Sequence, residues 1–60
     1  MIQYFFYIQD GRYSVAQLLV VEAREDAQAL AKAREYLLRS PHYRSIDVLE
    51  GDREVGRAER

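Results

Sequence analysis

The run Ile2-Gln3-Tyr4-Phe5-Phe6-Tyr7-Ile8 is apolar or aromatic at every position but Gln3. A strand sends successive side chains to opposite faces, so Ile2, Tyr4, Phe6 and Ile8 share one face while Phe5 and Tyr7 share the other. A strand with one wet face alternates apolar and polar residues. This one does not, so both of its faces call for cover. The chain of 60 residues holds material for one sizeable helix, and one helix covers one face of a small sheet. A second cover for the other face has to come from elsewhere.

Length sharpens that demand. A domain this small buries only about 60% of its unfolded surface, and disulfides, a structural metal or oligomerisation are the usual remedies. With no cysteine, disulfides and the commonest structural zinc sites are excluded, which leaves self-association. The lack of cysteine fits a reducing cytoplasm. The apolar runs fall far short of a membrane span and no signal-peptide pattern opens the sequence, so the cytoplasm is the expected compartment. Nine basic and ten acidic residues give a net charge of −1, which offers no general field for nucleic acid or an anionic membrane. All the basic residues but Lys32 are Arg, the side chain suited to bidentate pairing with carboxylates.

Turn signals divide the chain. Asp10-Gly11 between two β-rich runs is a strong hairpin signal; as a two-residue turn it places Phe6 opposite Val15, Tyr4 opposite Gln17, Tyr7 opposite Ser14 and Phe5 opposite Ala16. From Glu25 to Arg39 the period becomes helical, with a stripe of Ala27, Leu30, Ala31, Leu37 and Leu38 and with Ala29, Ala33 and Tyr36 widening it. Glu25 and Asp26 suit the positive end of the helix dipole, Arg39 the negative end, and Glu35 with Arg39 forms a favourable i,i+4 pair. Ser40-Pro41 ends the helix. Ser45–Glu50 alternates with Ile46 and Val48 inward, and Gly51-Asp52 reads as a second two-residue turn, pairing Glu50 with Arg53 and Val48 with Val55. The closing strand is short and charged, as befits an edge, and residues 57–60 are expected to fray.

The expected architecture is one domain over residues 1–60: strands at about 2–9, 12–22, 44–50 and 53–57 and a helix at about 25–39. A right-handed crossover that skips one position sets strand 3 beside strand 1. The result is an α+β, ββαββ fold with an antiparallel sheet in the order 2-1-3-4 and the helix on one face.

Residues that could carry chemistry are sparse. His42, the single histidine, lies in a loop between Pro41 and Tyr43 without the partners that a general base or metal ligand needs. The acids are dispersed, and Gly11, Gly51 and Gly56 form no phosphate-binding loop. Asp47 is expected on the face away from the helix, solvated or paired with an Arg of a partner chain. No catalytic, cofactor or metal residue is assigned, and an enzyme is not expected. The rival reading is nucleic-acid binding: Phe5 and Tyr7 on an open sheet, with Arg12, Arg44, Arg53 and Arg57 nearby, imitate small α+β modules that stack RNA bases. Interleaved acids and the negative net charge argue against it.

The stretch Glu22–Leu38 (EAREDAQALAKAREYLL) followed by Ile46–Arg57 (IDVLEGDREVGR) resembles a group of small bacterial and phage proteins of unknown function. These combine an aromatic first strand, a DG-type turn, a D-A-x-A-L-A helix start and a closing E-V-x-x-G-x-R-x-V strand pair. Leu49 stands where that pattern often has Trp, and Arg24 where it often has an acid. The resemblance implies a ββαββ unit and no activity; small antitoxins share the outline by fold-level analogy alone.

The expectation that emerges is a small protein-interaction module, a cytoplasmic homodimer joined through the sheet face opposite the helix. Phe5, Tyr7, Leu18 and Val20 would form the interface, with Leu49 at its margin; a different protein partner or nucleic acid on the same face is the alternative. Symmetric pairing is the commonest way to close such a face.

Overall fold

In the computed structural model, which describes residues 1–60, the aromatic run is a strand, β1 (Ile2–Asp10). It is followed by β2 (Gln17–Ala23), α1 (Asp26–Leu37), β3 (Tyr43–Glu50) and β4 (Arg53–Glu59). All pairings are antiparallel and the order is β2-β1-β3-β4, so β1, the strand with aromatic residues on both faces, lies inside the sheet. α1 covers one face, leaning over β3 and β4 and reaching β2 more loosely. Between them Tyr4, Phe6, Ile8, Ile46 and Val48 are fully buried, capped by Ala29, Ala33 and Leu37 of α1 and closed by Ala23 and Ala58. No helix is long and apolar enough to cross a membrane.

The first hairpin departs from the expected two-residue turn. β2 starts at Gln17 rather than Arg12, and β1 pairs Phe6 with Leu19, Tyr4 with Val21, Phe5 with Val20 and Tyr7 with Leu18. The register has slid by four residues, and the chain crosses between the strands in a loop, Gly11–Ala16. One local and one long-range interaction explain the slide. Asp10 is buried and uses both carboxylate oxygens: Oδ1 accepts from the Arg12 backbone N–H (2.9 Å) and Nε (3.1 Å), Oδ2 from Nη2 (2.8 Å). This aspartate-centred turn takes no positive φ at Asp10 or Gly11, whereas a type I′ turn requires both. The slide also brings the block Leu18–Val21 opposite the aromatic strand in place of Ser14, Val15, Ala16 and Gln17, which buries more apolar surface. An even slip keeps every side chain on its face.

Asp10 is a pH-sensitive part of this turn. The Arg12 guanidinium bonded to it holds its carboxyl down at about 2, below the ordinary 3.8. A depressed folded-state value contributes stability above the unfolded one, and that contribution is lost as the pH falls through the folded value. The urea midpoint should therefore drop between about pH 4 and pH 2, and Asp10→Asn should be less stable than the parent at neutral pH and flatter across that window.

The second hairpin has its expected turn: Glu50 faces Arg53 and Gly51 alone carries a positive φ, 59°, the pattern of a glycine-first turn. Val48, however, pairs with Gly56 rather than Val55, because the register shifts between Val48 and Leu49. The bulge leaves Val55 packed against the core and seats Gly56 under the helix, where a Cβ would stand 2.9 Å from Leu30 Cδ2.

Helix bounds and helix face also change. α1 buries Ala29, Ala33 and Leu37, with Leu30 and Tyr36 partly buried, while Ala27 and Ala31 are exposed and Leu38, at the C-cap, is 72% exposed. The Ala29-Ala33-Leu37 row lets the helix approach the sheet closely. Arg39 lies over the Tyr36 ring (4.6 Å) instead of pairing with Glu35, and Tyr36 stacks on Tyr43 (6.1 Å between centroids).

The C-terminus is tied down rather than frayed. β4 runs to Glu59 with Ala58 buried, and the Arg60 guanidinium donates to the carbonyls of Tyr43 (2.6 Å), Leu37 (2.7 Å) and Ser40. It thus satisfies carbonyls left open at the helix end and places a cation at the negative end of its dipole.

At the opposite end of α1, the Tyr4 hydroxyl donates to Asp26 Oδ1 (2.8 Å), and Arg53 grips both Asp26 oxygens (2.8 and 2.9 Å) while reaching Glu50 (2.6 Å). Burial, then the bond to Asp26, pushes the Tyr4 phenol up to about 12; Arg53, then Tyr4, holds Asp26 below the usual carboxylate range.

Candidate functional site

The helix-free face of the sheet is built of transverse rows, because residues that pair across antiparallel strands point to the same side. One row runs Val20, Phe5, Leu49, Glu54 from β2 to β4; the next runs Leu18, Tyr7, Asp47, Arg57. Phe5 thus lies between Val20 and Leu49, and Tyr7 between Leu18 and Asp47. All five residues singled out from the sequence (Phe5, Tyr7, Leu18, Val20 and Leu49) stand on this face in two adjacent rows. The slid register brings them closer than the expected one, which set Phe5 opposite Ala16 and Tyr7 opposite Ser14. Leu18 is 57%, Val20 48% and Tyr7 39% exposed, while Phe5 and Leu49, inside the sheet, are half-buried.

The face is graded. Its β2–β1 half is apolar and its β3–β4 half is charged. Arg57 Nε donates to Asp47 Oδ1 (2.7 Å) and its Nη1 to Glu59 Oε1 (3.2 Å), so the guanidinium holds its proton more firmly than usual, above all through the bond to Asp47. The Arg that pairs with Asp47 comes from the neighbouring strand of the same chain. A shallow depression of about 570 Å³ opens between Tyr7, Leu49, Glu54 and Arg57. With Glu22, which faces Gln3, the register sets four carboxylates on this side (Glu22, Asp47, Glu54 and Glu59), and Arg57 among them is already engaged.

The remaining basic residues once grouped with the aromatic face are elsewhere. Arg53 lies on the helix side, bound to Asp26. Arg12 is committed to Asp10, and the Arg44 guanidinium lies over Gly11, where a Cβ would stand 2.8 Å from its Nε. His42 is exposed, and its carbonyl accepts the Gly11 N–H (2.8 Å). No three His, Asp or Glu side chains converge in a metal-binding group.

What sequence reasoning missed is the pairing of Asp47 with Arg57. A regular ladder continued from Glu50–Arg53 would set Gly56 opposite Asp47; the bulge puts Arg57 there. Gly56 was the available signal, since a glycine inside a strand often marks a bulge. Comparison with family models, with curated proteins and with solved structures gives no match.

Proposed function

We propose that this chain is a small protein-interaction module, binding rather than catalytic, which associates with a second copy of itself through the sheet face opposite α1. The observation that carries the reading is the pair of rows in which Phe5, Tyr7, Leu18, Val20 and Leu49 form one uncovered apolar surface. Contiguous apolar patches on soluble monomers are small, and larger ones mark contact sites. The molecule measures 31 × 20 × 15 Å, so a contact through its broad face falls at the small end of the range around the roughly 800 Å² per partner of a standard interface. Two such sheets would stack about 10 Å apart with strands within about 30° of each other. A cytoplasmic setting suits the cysteine-free sequence.

Charge weighs against nucleic acid on this face, because four carboxylates to one engaged guanidinium repel phosphates. In a homotypic contact the excess negative charge of the two faces is brought together, and salt screens that repulsion. Sedimentation equilibrium should therefore show association tightening several-fold as NaCl is raised from low to high concentration. Association that weakens with salt would overturn the homotypic reading and favour a partner of opposite charge.

A further inference from the structure

We infer that β2 is a strand-addition edge, and that its occupant is β2 of a second copy, paired antiparallel about a two-fold axis at Leu19. This rests on backbone geometry and does not depend on the open-face contact.

The two edges of the sheet differ. β4 carries Arg53, Glu54, Arg57 and Glu59 and is bulged, which are protections against edge pairing. β2 (QLLVVEA) pairs regularly with β1, holds one charge, Glu22, and contains no proline. Its C-terminal end is covered by α1. Lys32 Nζ donates to the Glu22 carbonyl (2.8 Å), and the Arg24 N–H donates to Gln28 Oε1 (2.6 Å). Those two backbone groups therefore point away from β1. Backbone groups alternate along a strand with period two, so the N–H and C=O of Val20 and of Leu18 point outward as well. No α1 side chain bonds to them. The edge is sealed at residues 22–24 and open at residues 18–20.

A second copy fits that opening in one register. Centred on Leu19, the pairing sets Leu18 opposite Val20 of the other copy and the reverse. Each such pair exchanges two N–H···O bonds, so every free group from residues 18 and 20 is used. Centring on Val20 would aim Leu18 at the Glu22 carbonyl, which Lys32 already holds. The chosen register also brings no like charges together. A two-fold axis perpendicular to the sheet keeps faces aligned: Leu18 and Val20 meet on the open face. The two Leu19 side chains meet on the helix face, beside the groove of about 300 Å³ between Phe6, Leu19, Val21 and Tyr36. The product is one eight-stranded sheet with both helices on the same side.

Amide hydrogen exchange by NMR at rising concentration reads the edge directly. Between micromolar and millimolar chain the Leu18 and Val20 amides should slow by at least about tenfold, while those of Leu19 and Val21, bonded to β1, stay protected throughout. The same slowing should survive in Phe5→Arg, where the open face is disabled. In the chemically synthesised chain, N-methylation of Val20 should halve the solution mass without changing the far-UV circular dichroism. Leu18 and Val20 amides that exchange at unprotected rates at millimolar concentration overturn the proposal, as does a mass unaffected by N-methyl-Val20; if the methylated chain fails to fold, the exchange rates decide.

Discussion

Phe6→Ala should leave the chain largely unfolded at room temperature. Phe6 is fully buried between Leu19 and Val48, and truncating a core phenylalanine costs about 3–5 kcal/mol. The single core of a domain this small rarely supplies more than about 3–5 kcal/mol in all, so one substitution exhausts it. Far-UV circular dichroism and urea titration measure the effect. A cooperative transition within about 1 kcal/mol of the parent, small beside the usual cost of such a cavity, would mean that the helix-covered face is not the core.

Phe5→Arg, one residue away, should do the opposite: keep the fold and break the contact through the open face. Phe5 sits at the centre of the open face, flanked by Val20 and Leu49, where an arginine can extend into solvent in the free monomer but must be desolvated in a contact. Central anchors of interfaces are typically worth about 2–4 kcal/mol, so dissociation across that face should rise roughly 30- to 1,000-fold. Dilution followed by fluorescence anisotropy or light scattering gives the number, and the helical circular dichroism should be unchanged. If Phe5→Arg unfolds instead, the face belongs to the monomer's core and the division of β1 into two functions fails. The pair of substitutions reads one physical fact, the alternation of side chains along a strand, through two unrelated observables.

That alternation is why the face was legible and the register was not. The Ile2–Ile8 run announces a strand with two apolar faces, and a right-handed crossover that skips one position places it inside the sheet; the observed order β2-β1-β3-β4 agrees. Asp10-Gly11 carries a strong local preference for a two-residue turn, but a competing local bond and a better strand pairing outweigh it. The buried Asp10 carboxylate spends its acceptors on Arg12, and the Leu18–Val21 block pairs with the aromatics at the cost of a longer loop. Had the slip been odd, Leu18 and Val20 would have gone to the helix side. Being even, it left the candidate residues on one face and tightened them.

The helix misled for a different reason. Alanine contributes little to the direction of an amphipathic pattern, so Leu38 pulled the expected stripe toward itself, yet Leu38 lies beyond the last helical residue. The row that buries is set by Ala29 and Ala33, whose small size permits close packing against the sheet. At the chain's end, charge and exposure of Arg57–Arg60 suggested fraying; nothing local indicates that Arg60 will meet three carbonyls supplied by Leu37, Ser40 and Tyr43. The ion pair of Asp47 with Arg57 was hidden by the bulge at Val55, although the right residue types had been noticed. Face assignment, in short, depends on local periodicity, whereas loop length, bulges and long-range capping depend on partners distant in sequence.

The central claim, that the uncovered half of β1 is an association surface, is tested most directly by sedimentation equilibrium of the N-methyl-Val20 chain, in which pairing through the β2 edge is blocked, at micromolar concentration. The expected mass is at least twice the 7.1 kDa of one chain, falling toward one chain on dilution. A single species of 7.1 kDa across the micromolar range would contradict it.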